Sequence, residues 1–482
     1  MRRRSARMVA SLLCAGAAGC TVGPNFQRPP PPSSAVYAPG QPPAEVSAVQ
    51  GVAGGQAQRL VQDRMVDAQW WRAFGSPGLD AMVDEALKAN PDLQSAEAAL
   101  RQAQALMKAQ AGVQLPSADL SYQVQRAQNS AAIAPVLADN SNLYTLHTAQ
   151  LTVAYALDVF GGLRRQTEAA TAQADAARLQ YAAARSVLIA NVAAAAIQSA
   201  ALARQVQAAR LTAEDVRQAL ALLRKRAELG EIAQIDVAAQ ETLLAQAEQA
   251  LPPLLKALAQ QQSALAVLLG RESGQGAPAP LDLDALTLPA ELPVSSPAAL
   301  VRQRPDVAAA EANLHAASAG VGVAVAARLP SFTLGAAAGG ASTQLRDLLA
   351  SGDTFWTLSA GVTQPIFRGG ELKARQQAAQ AAFDGAKAQY RSTVLNALKN
   401  VADSLDALQR DDDVLQAVAA AEAAGRRSLA LARASRDMGE VGPLEMLGAQ
   451  QTYDQTRSAL AQASAARFAD TAALYQALGA GA

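Results

Sequence analysis

The sequence has 482 residues, 50% of them hydrophobic but only 4% aromatic and 17% charged, enough chain for two or three ordinary domains. With 41 Lys and Arg against 41 Asp and Glu the formal charge is zero, so the overall positive field with which nucleic-acid-binding proteins gather phosphates is missing. Two histidines and two cysteines are too few for a Cys/His zinc site, and no run of about 18 uninterrupted apolar residues marks a transmembrane helix, so a membrane role would have to use strands or lipid.

Arg2, Arg3, Arg4 and Arg7 form a positive region, residues 8–18 an apolar one, and Ala17, Ala18 and Gly19 a small-residue run that ends in Cys20. This looks like a bacterial lipoprotein signal: residues 1–19 are expected to be removed, the Cys20 sulfur to carry a diacylglycerol and its new amino group an acyl chain. Cleavage removes Cys14 and leaves no pair for a mature disulfide. Thr21, rather than Asp, follows Cys20, which favours export to the outer membrane. Residues 20–58 are rich in Pro and then in Gly, Ala and Gln; proline lacks the N–H and fixes φ, so this stretch reads as an extended tether.

An internal duplication organises the remainder. Asn90-Pro91-Asp92 and Arg304-Pro305-Asp306 are 214 residues apart, as are Leu115-Pro116-Ser117 and Leu329-Pro330-Ser331. Gly161-Gly162 recurs as Gly369-Gly370, Gly230-Glu231 as Gly439-Glu440 and Leu269-Gly270 as Leu478-Gly479, at 208, 209 and 209 residues. The first copy spans residues 59–270 and the second 291–479, with 271–290 as a linker. Each reads as a short helix, two strands, a very long helix, a glycine turn and a second long helix.

The long helices are the strongest pattern. Residues 163–229 hold no proline or glycine, and 67 helical residues would extend about 100 Å. In the second copy Val394, Leu398, Val401, Leu405 and Leu408 alternate steps of four and three, a heptad seam that implies coiled-coil contact. Pro252-Pro253 is expected to break the first return helix partway.

Four segments alternate with period two. Leu120, Tyr122 and Val124 alternate with Ser121, Gln123 and Gln125, and Leu151, Val153, Tyr155 and Leu157 with Thr152, Ala154 and Ala156. In the second copy Phe332, Leu334 and Ala336 alternate with Ser331, Thr333 and Gly335, and Trp356, Leu358, Ala360 and Val362 with Thr357, Ser359 and Gly361. Each is about the length of a tilted membrane strand, and Tyr122, Tyr155, Phe332 and Trp356 suit membrane interfaces, although strands of a small soluble sheet alternate in the same way. Four strands cannot close a barrel, and an open edge in lipid leaves backbone groups unpaired, so a membrane sheet must be shared between chains. Three copies give twelve strands and room for a lumen. The fold class expected is mainly α, a long coiled-coil barrel of helices joined to a membrane β-barrel shared by a homotrimer.

No catalytic constellation is evident. Ala338-Gly339-Gly340 lacks the Lys and Ser/Thr of a phosphate loop, Asp411-Asp412-Asp413 reads as a solvated helix face without ligand spacing, and His147, before a strand, and His315, on a helix, stand in unlike contexts. Neither an enzyme, a metal site nor a cofactor is expected, apart from the lipid on Cys20.

Trp70-Trp71-Arg72-Ala73-Phe74, Asn90-Pro91-Asp92-Leu93, Leu268-Leu269-Gly270, Arg304-Pro305-Asp306 and Gln364-Pro365-Ile366-Phe367-Arg368-Gly369-Gly370 together resemble the outer-membrane factors, the TolC-like efflux ducts, in their lipidated NodT-type branch. The resemblance covers the whole mature chain. It implies a homotrimeric exit duct for drugs, metals or metabolites, with a periplasmic adaptor and an inner-membrane transporter of the resistance-nodulation-division type as partners. The same architecture serves type I protein secretion, and a non-porous lipoprotein rod is the reading from a different class. The family's periplasmic tip, where the adaptor docks, maps onto Arg226, Gly230 and Gly439. Its acid six residues beyond each glycine maps onto Asp236 and Glu445, candidates for a gate, with Arg224 and Arg433 as possible partners; both acids also suit a helix start, where a carboxylate complements the dipole. Replacing Cys20 by Ser should abolish acylation, and mass spectrometry of the mature amino terminus checks this; an unmodified cysteine there in the parent protein would sink the signal assignment.

Overall fold

The computed structural model describes residues 21–34, 36–37, 45–62, 64, 66–128, 143–438 and 441–480. Cys20 and Gly439 therefore lie outside the described residues. Among those described are eight α-helices and seven strands. The first copy holds α1 (Pro77–Ala89), α2 (Pro91–Gly112), β3 (Ser117–Gln128), β4 (Leu143–Leu157), α3 (Gly162–Glu228) and α4 (Gln234–Leu268). The second holds α5 (Pro297–Gln303), α6 (Pro305–Ala326), β6 (Ser331–Ser342), β7 (Thr354–Thr363), α7 (Glu371–Asp437) and α8 (Pro443–Ala477). Corresponding helices match in length: 22 residues in α2 and α6, 67 in α3 and α7, 35 in α4 and α8.

The chain divides into two compact units, each drawn from both copies. One comprises residues 1–29, 100–177 and 310–390, the other 30–99, 178–309 and 391–482. The first unit contains a four-stranded antiparallel sheet in the order β3-β4-β6-β7. Asp158 starts α3 below it, its two carboxylate oxygens accepting from the Leu163 and Arg164 N–H groups at 2.9 Å each.

In this unit the segment after Cys20 is seated rather than loose. The Val22 N–H donates to the Phe160 carbonyl at 3.1 Å, and Arg165, 4% exposed in its side chain, donates to the Val22 carbonyl at 3.2 Å and to Asn25 Oδ1 at 2.7 Å. Phe26 stacks on His315 with centroids 4.4 Å apart, and His315 Nε2 lies 2.8 Å from Glu168 Oε1. Burial pushes the Glu168 carboxyl up, but hydrogen bonds from Arg165 and His315 outweigh it and hold it below its ordinary value. The tether expected over residues 20–58 is thus docked at this end, because arginine forks satisfy carbonyls that a proline-rich strand cannot pair.

The second unit holds the hydrophobic core. Trp70, Trp71 and Phe74, on a single 3-10 turn, pack with Leu79, Ile189, Ile197, Leu265, Leu292 and Phe468. Trp70 stacks on Tyr475 at 5.1 Å, and burial pushes the Tyr475 hydroxyl up to about 12. Val394, Val401, Leu405 and Leu408 of the heptad seam are buried. A small three-stranded sheet in the order β1-β2-β5 joins β1 (Glu45–Val46), β2 (Gln58–Gln62) and β5 (Glu291–Val294). It draws β1 from the expected tether, and Leu283, Leu286 and Leu288 of the expected linker are buried in the core. Segments too short to show a period were invisible to pattern reading.

The repeat landmarks have one structural role. Asn90 Oδ1 accepts from the Leu93 N–H at 3.0 Å, capping α2, while its Nδ2 donates to the Leu268 carbonyl at the end of α4, also at 3.0 Å. In the second copy Arg304 Nη1 donates at 2.7 Å to the Ala477 carbonyl at the end of α8. Leu268 and Ala477 are 209 residues apart, so both copies close the return helix onto the start of their short helix by a side chain at the same place. Gly270 follows with φ +73°, and a Cβ there would stand 2.4 Å from the Ala89 carbonyl oxygen, so no other residue fits.

Two expectations are corrected, for the return helix and for the acid run. Helix α4 continues through Pro252 and Pro253, because the two missing N–H groups remove only two bonds from a helix whose far end is fixed by buried Leu265, Ala266 and Leu269. One stretch of α3 is long and apolar enough to cross a membrane by composition, yet 67% of it is buried within the chain; alanine makes a close-packed core helix read as apolar. The acid run on α7 is a solvated face only at Asp413, and Asp412 is buried. Arg467 of α8 is wholly buried and donates to Asp412 Oδ1 at 3.0 Å, to the Gln56 carbonyl at 2.9 Å and to the Ser47 carbonyl at 3.3 Å. Periodicity gives the face of α7, but only packing brings α8 and its arginine against it.

Asp411 beside this pair is pushed up to about 7, first by burial and then by Asp470 on α8, with Arg467 opposing. An acid raised in the folded state keeps a proton that the unfolded chain has already lost. Stability should therefore fall as pH rises from about 4 to about 7 and then level off. Asp411→Asn should flatten that slope and melt above the parent protein at pH 8. Parallel melting curves across the range would contradict the assignment.

Candidate functional site

The four-stranded sheet has two chemically distinct faces, and the register defines them. On one face the rows across the sheet read Leu120, Leu151, Ala338, Trp356, then Ala118, Val153, Ala336, Leu358, with Tyr155, Leu334 and Ala360 below and Leu157, Phe332 and Val362 at the base. On the other face the rows read Ser121, Gln150, Gly339, Phe355, then Asp119, Thr152, Ala337, Thr357, so this face is mainly polar or small with one aromatic on β7. Because side chains alternate strictly, a one-residue slip of any strand would exchange the two. Tyr122, Tyr155, Phe332 and Trp356 all lie on the apolar face. Tyr155 and Phe332 occupy its two lowest rows, and Trp356 and Tyr122 occupy adjacent rows roughly 20 Å further along the strands. Trp356 is 79% and Leu358 76% exposed in the single chain, so this face is uncovered. The outer edges of β3 and β7 have no strand partner among the described residues.

At the other end of the long helices, in the second unit, Gly230 has φ +72° and its N–H donates to the Ala227 carbonyl at 3.0 Å. The Glu231 N–H reaches back to the Arg226 carbonyl at 3.0 Å, and Arg226 Nε donates to Glu231 Oε2 at 3.1 Å. The glycine thus ends α3 in a left-handed cap that turns the chain into α4. Asp236 is in the first turn of α4 and Glu445 in the first turn of α8.

The arginines at matching places pair elsewhere. Arg224 donates to Glu241 at 2.6 Å, and Arg433 donates to Asp215 at 3.2 Å. No ion pair joins Arg224 to Asp236 or Arg433 to Glu445 within the described chain. The reason is reach along antiparallel helices. Arg224 stands about 6 Å from the end of α3 and Glu241 about 10 Å into α4, whereas Asp236 is only about 3 Å in. Sequence reasoning missed the ladder that Arg433 enters. Gln450 lies 3.4 Å from Arg433, Asp454 accepts from Gln450 at 3.2 Å and from the Thr212 hydroxyl at 2.7 Å. It ties α3, α7 and α8 together across the two copies. Burial pushes the Asp454 carboxyl up against these hydrogen bonds. The single Gln450/Asp454 pair at i, i+4 on α8 was its only sequence signal.

His147 lies within β4, four residues before Leu151, where alternation was first visible, and its Nδ1 is 2.8 Å from the Tyr122 hydroxyl. His315 belongs to the docked segment after Cys20, so the two histidines share no site. Among the described residues no group of three or more His, Cys, Asp or Glu is placed to hold a metal.

Comparison with known proteins gives a family and a fold. The model of the outer membrane efflux protein family matches residues 82–271 and 297–480. The pyoverdine export outer membrane protein OpmQ of Pseudomonas putida is 32% identical over 426 residues, which cover 86% of this chain and 88% of that protein. The toluene efflux pump outer membrane protein TtgF of Pseudomonas putida is 31% identical over 401 residues, covering 83% and 81%. Among solved structures, the outer-membrane channel OprN superposes with a TM-score of 0.81 at 26% identity, over 95% of this chain and 99% of that one.

The two faces predict opposite responses from adjacent residues. Leu151→Lys places a charge in the centre of the apolar face and should cost about 2–4 kcal/mol of barrel stability in lipid, whereas Gln150→Lys should be close to neutral. Urea unfolding of liposome-inserted protein measures both, and equal losses would refute the face assignment.

Proposed function

This chain belongs to the outer membrane efflux protein family, and from that premise we propose that three copies form an exit duct that passes small molecules across the outer membrane. Relatives named for export and efflux pumps and a solved outer-membrane channel support the outer-membrane location and the duct, and the family is one of channels rather than of enzymes. One observation carries the reading: a four-stranded sheet with one apolar and one polar face and two unpaired edges. An edge left open in hydrocarbon costs several kcal/mol per backbone group, so β3 of one copy pairs with β7 of the next until twelve strands close. The polar faces then line a water-filled lumen and the apolar faces meet lipid.

The partners follow from the family and from relatives named for efflux pumps. A duct that ends in the periplasm must be sealed to an energised transporter in the inner membrane. A periplasmic adaptor docks on the helical tip at Arg226, Gly230 and Gly439, and a transporter of the resistance-nodulation-division type feeds the lumen. Diacylglycerol on Cys20 anchors the amino terminus, in sequence just ahead of the docked Val22, Asn25 and Phe26. Relatives named for pumps favour efflux over protein secretion, and a lipoprotein rod has no use for a sheet with two such faces.

The duct reading is tested by planar-bilayer recording and by the mass of the detergent-extracted protein. Step-like conductance from a species of about three chain masses is expected, and a non-conducting monomer with its strands intact would refute it. Asp236 and Glu445, three copies of each, form acidic rings where the return helices begin. The double variant Asp236→Ala with Glu445→Ala should lose cation selectivity, while Asp403→Asn on the exposed face of α7 should not. Unchanged selectivity in the double variant would make both acids simple helix-start residues.

A further inference from the structure

The strands carry few charges, and their positions are uneven. Among the described residues of the four-stranded sheet β3-β4-β6-β7 the formal charges are Asp119 and Arg126, and the one imidazole is His147. Asp119 is on the polar face. Arg126 and His147 are both on the apolar face, where every other described row from the base up to Val124 is uncharged.

The two lie together. Arg126 stands opposite Thr145 and Val124 opposite His147, so Arg126 and His147 are diagonal neighbours on adjacent strands, about 7–8 Å apart at Cα. The Tyr122 hydroxyl is 2.8 Å from His147 Nδ1, and the rings stack with centroids 6.2 Å apart. A hydroxyl that donates to Nδ1 leaves the ring proton on Nε2, a donor that points away from tyrosine. Arg126 is exposed.

Height along the sheet sets what they meet. Counting from Leu157 in the lowest row, His147 is ten residues along β4 and Thr145, beside Arg126, is twelve. With a rise of about 3.4 Å and a tilt of about 40°, these are roughly 26 and 31 Å above the base, against an apolar band of about 25 Å. An arginine facing lipid is unfavourable at mid-depth and tolerated where headgroups begin. Both side chains therefore emerge where the hydrocarbon ends, on the side of the hairpin connections, one to two rows beyond Tyr122.

We propose that Arg126 and His147, the latter oriented by Tyr122, form a binding site for the phosphate of an anionic glycolipid in the leaflet that surrounds the hairpin ends. The guanidinium supplies a planar fork and the imidazole a third donor, which suits a tetrahedral phosphate at the surface of the barrel. The polar face does not share this charge, so the site serves the lipid wall and not the lumen. The inference rests on the shared-barrel reading above.

The test uses full-length protein in nanodiscs of zwitterionic lipid, with a synthetic bisphosphorylated diglucosamine lipid, its dephosphorylated counterpart and inorganic phosphate as probes. Native mass spectrometry reads the lipid retained. Retention of the bisphosphorylated lipid over the dephosphorylated one is expected. It should fall about tenfold in Arg126→Gln with His147→Gln and survive in Asp119→Asn on the opposite face. Equal retention by the parent and the double variant, no preference for the phosphorylated lipid, or competition by inorganic phosphate at equal concentration would each overturn the site. Planar-bilayer conductance is recorded for the same preparations. A conducting protein with unchanged lipid retention defeats this inference alone, whereas a protein that never conducts defeats the duct reading and the inference with it.

Discussion

A backbone N–H or C=O cannot stay unpaired in hydrocarbon, and much of this molecule answers to that constraint. The sheet ends in two open edges, β3 and β7, and its apolar face is uncovered in the single chain. Neither feature would persist in an isolated soluble protein, because the exposed face would drive association and the edges would template it. A shared closed barrel removes both liabilities at once. Duplication fits that solution: each copy contributes one antiparallel hairpin, and β4 of the first pairs with β6 of the second along eleven positions, so the two hairpins form one continuous wall.

The same duplication is enforced far from the sheet by hydrogen bonds. Asn90 and Arg304 differ chemically, yet each reaches the terminal carbonyl of its own return helix. A helix end leaves its last carbonyls without partners, so a side chain supplied from the start of the same copy closes the unit on itself. The second unit is further tied by Arg467, whose guanidinium spans Asp412 and two main-chain carbonyls from residues 47 and 56. Removing the arginine would leave the buried Asp412 carboxylate without its counter-charge, although the Ser47 N–H and Gln416 still donate to it, and would take the arginine's hydrogen bonds from two carbonyls, which is the expensive way to break a buried pair.

Polar groups between the helices have a different character from those in the core. The Arg433, Gln450, Asp454 and Thr212 ladder joins helices of both copies through side chains, several of them partly exposed. Such contacts are worth little individually and can exchange partners at small cost, as suits helices that must shift relative to one another if an aperture is to open. Around Trp70 and Phe468, by contrast, the packing is aromatic and buried, and cannot slide without opening a cavity.

What was legible in the sequence was whatever repeats at the period of a regular element. Alternation gave the four long strands and their two faces; the absence of proline and glycine gave the two 67-residue helices; glycine landmarks gave their ends and the duplication. These features are local, written into spacing along the chain. Everything that depends on which side chain arrives from a distant element was decided by the tertiary structure. Asp412 read as solvated until α8 brought Arg467 against it, Arg224 paired with Glu241 within reach on the antiparallel α4 while Arg433 paired with Asp215 on α3 of the other copy, and residues 45–62 and 283–288 packed as structure although they are too short to show any period. Pro252 and Pro253 ended a helix by local rules but not in the folded chain, because the interface beyond them outweighs two missing hydrogen bonds. A period records only how a residue faces its own element; its partner, protonation and burial are set by the neighbour that packing supplies.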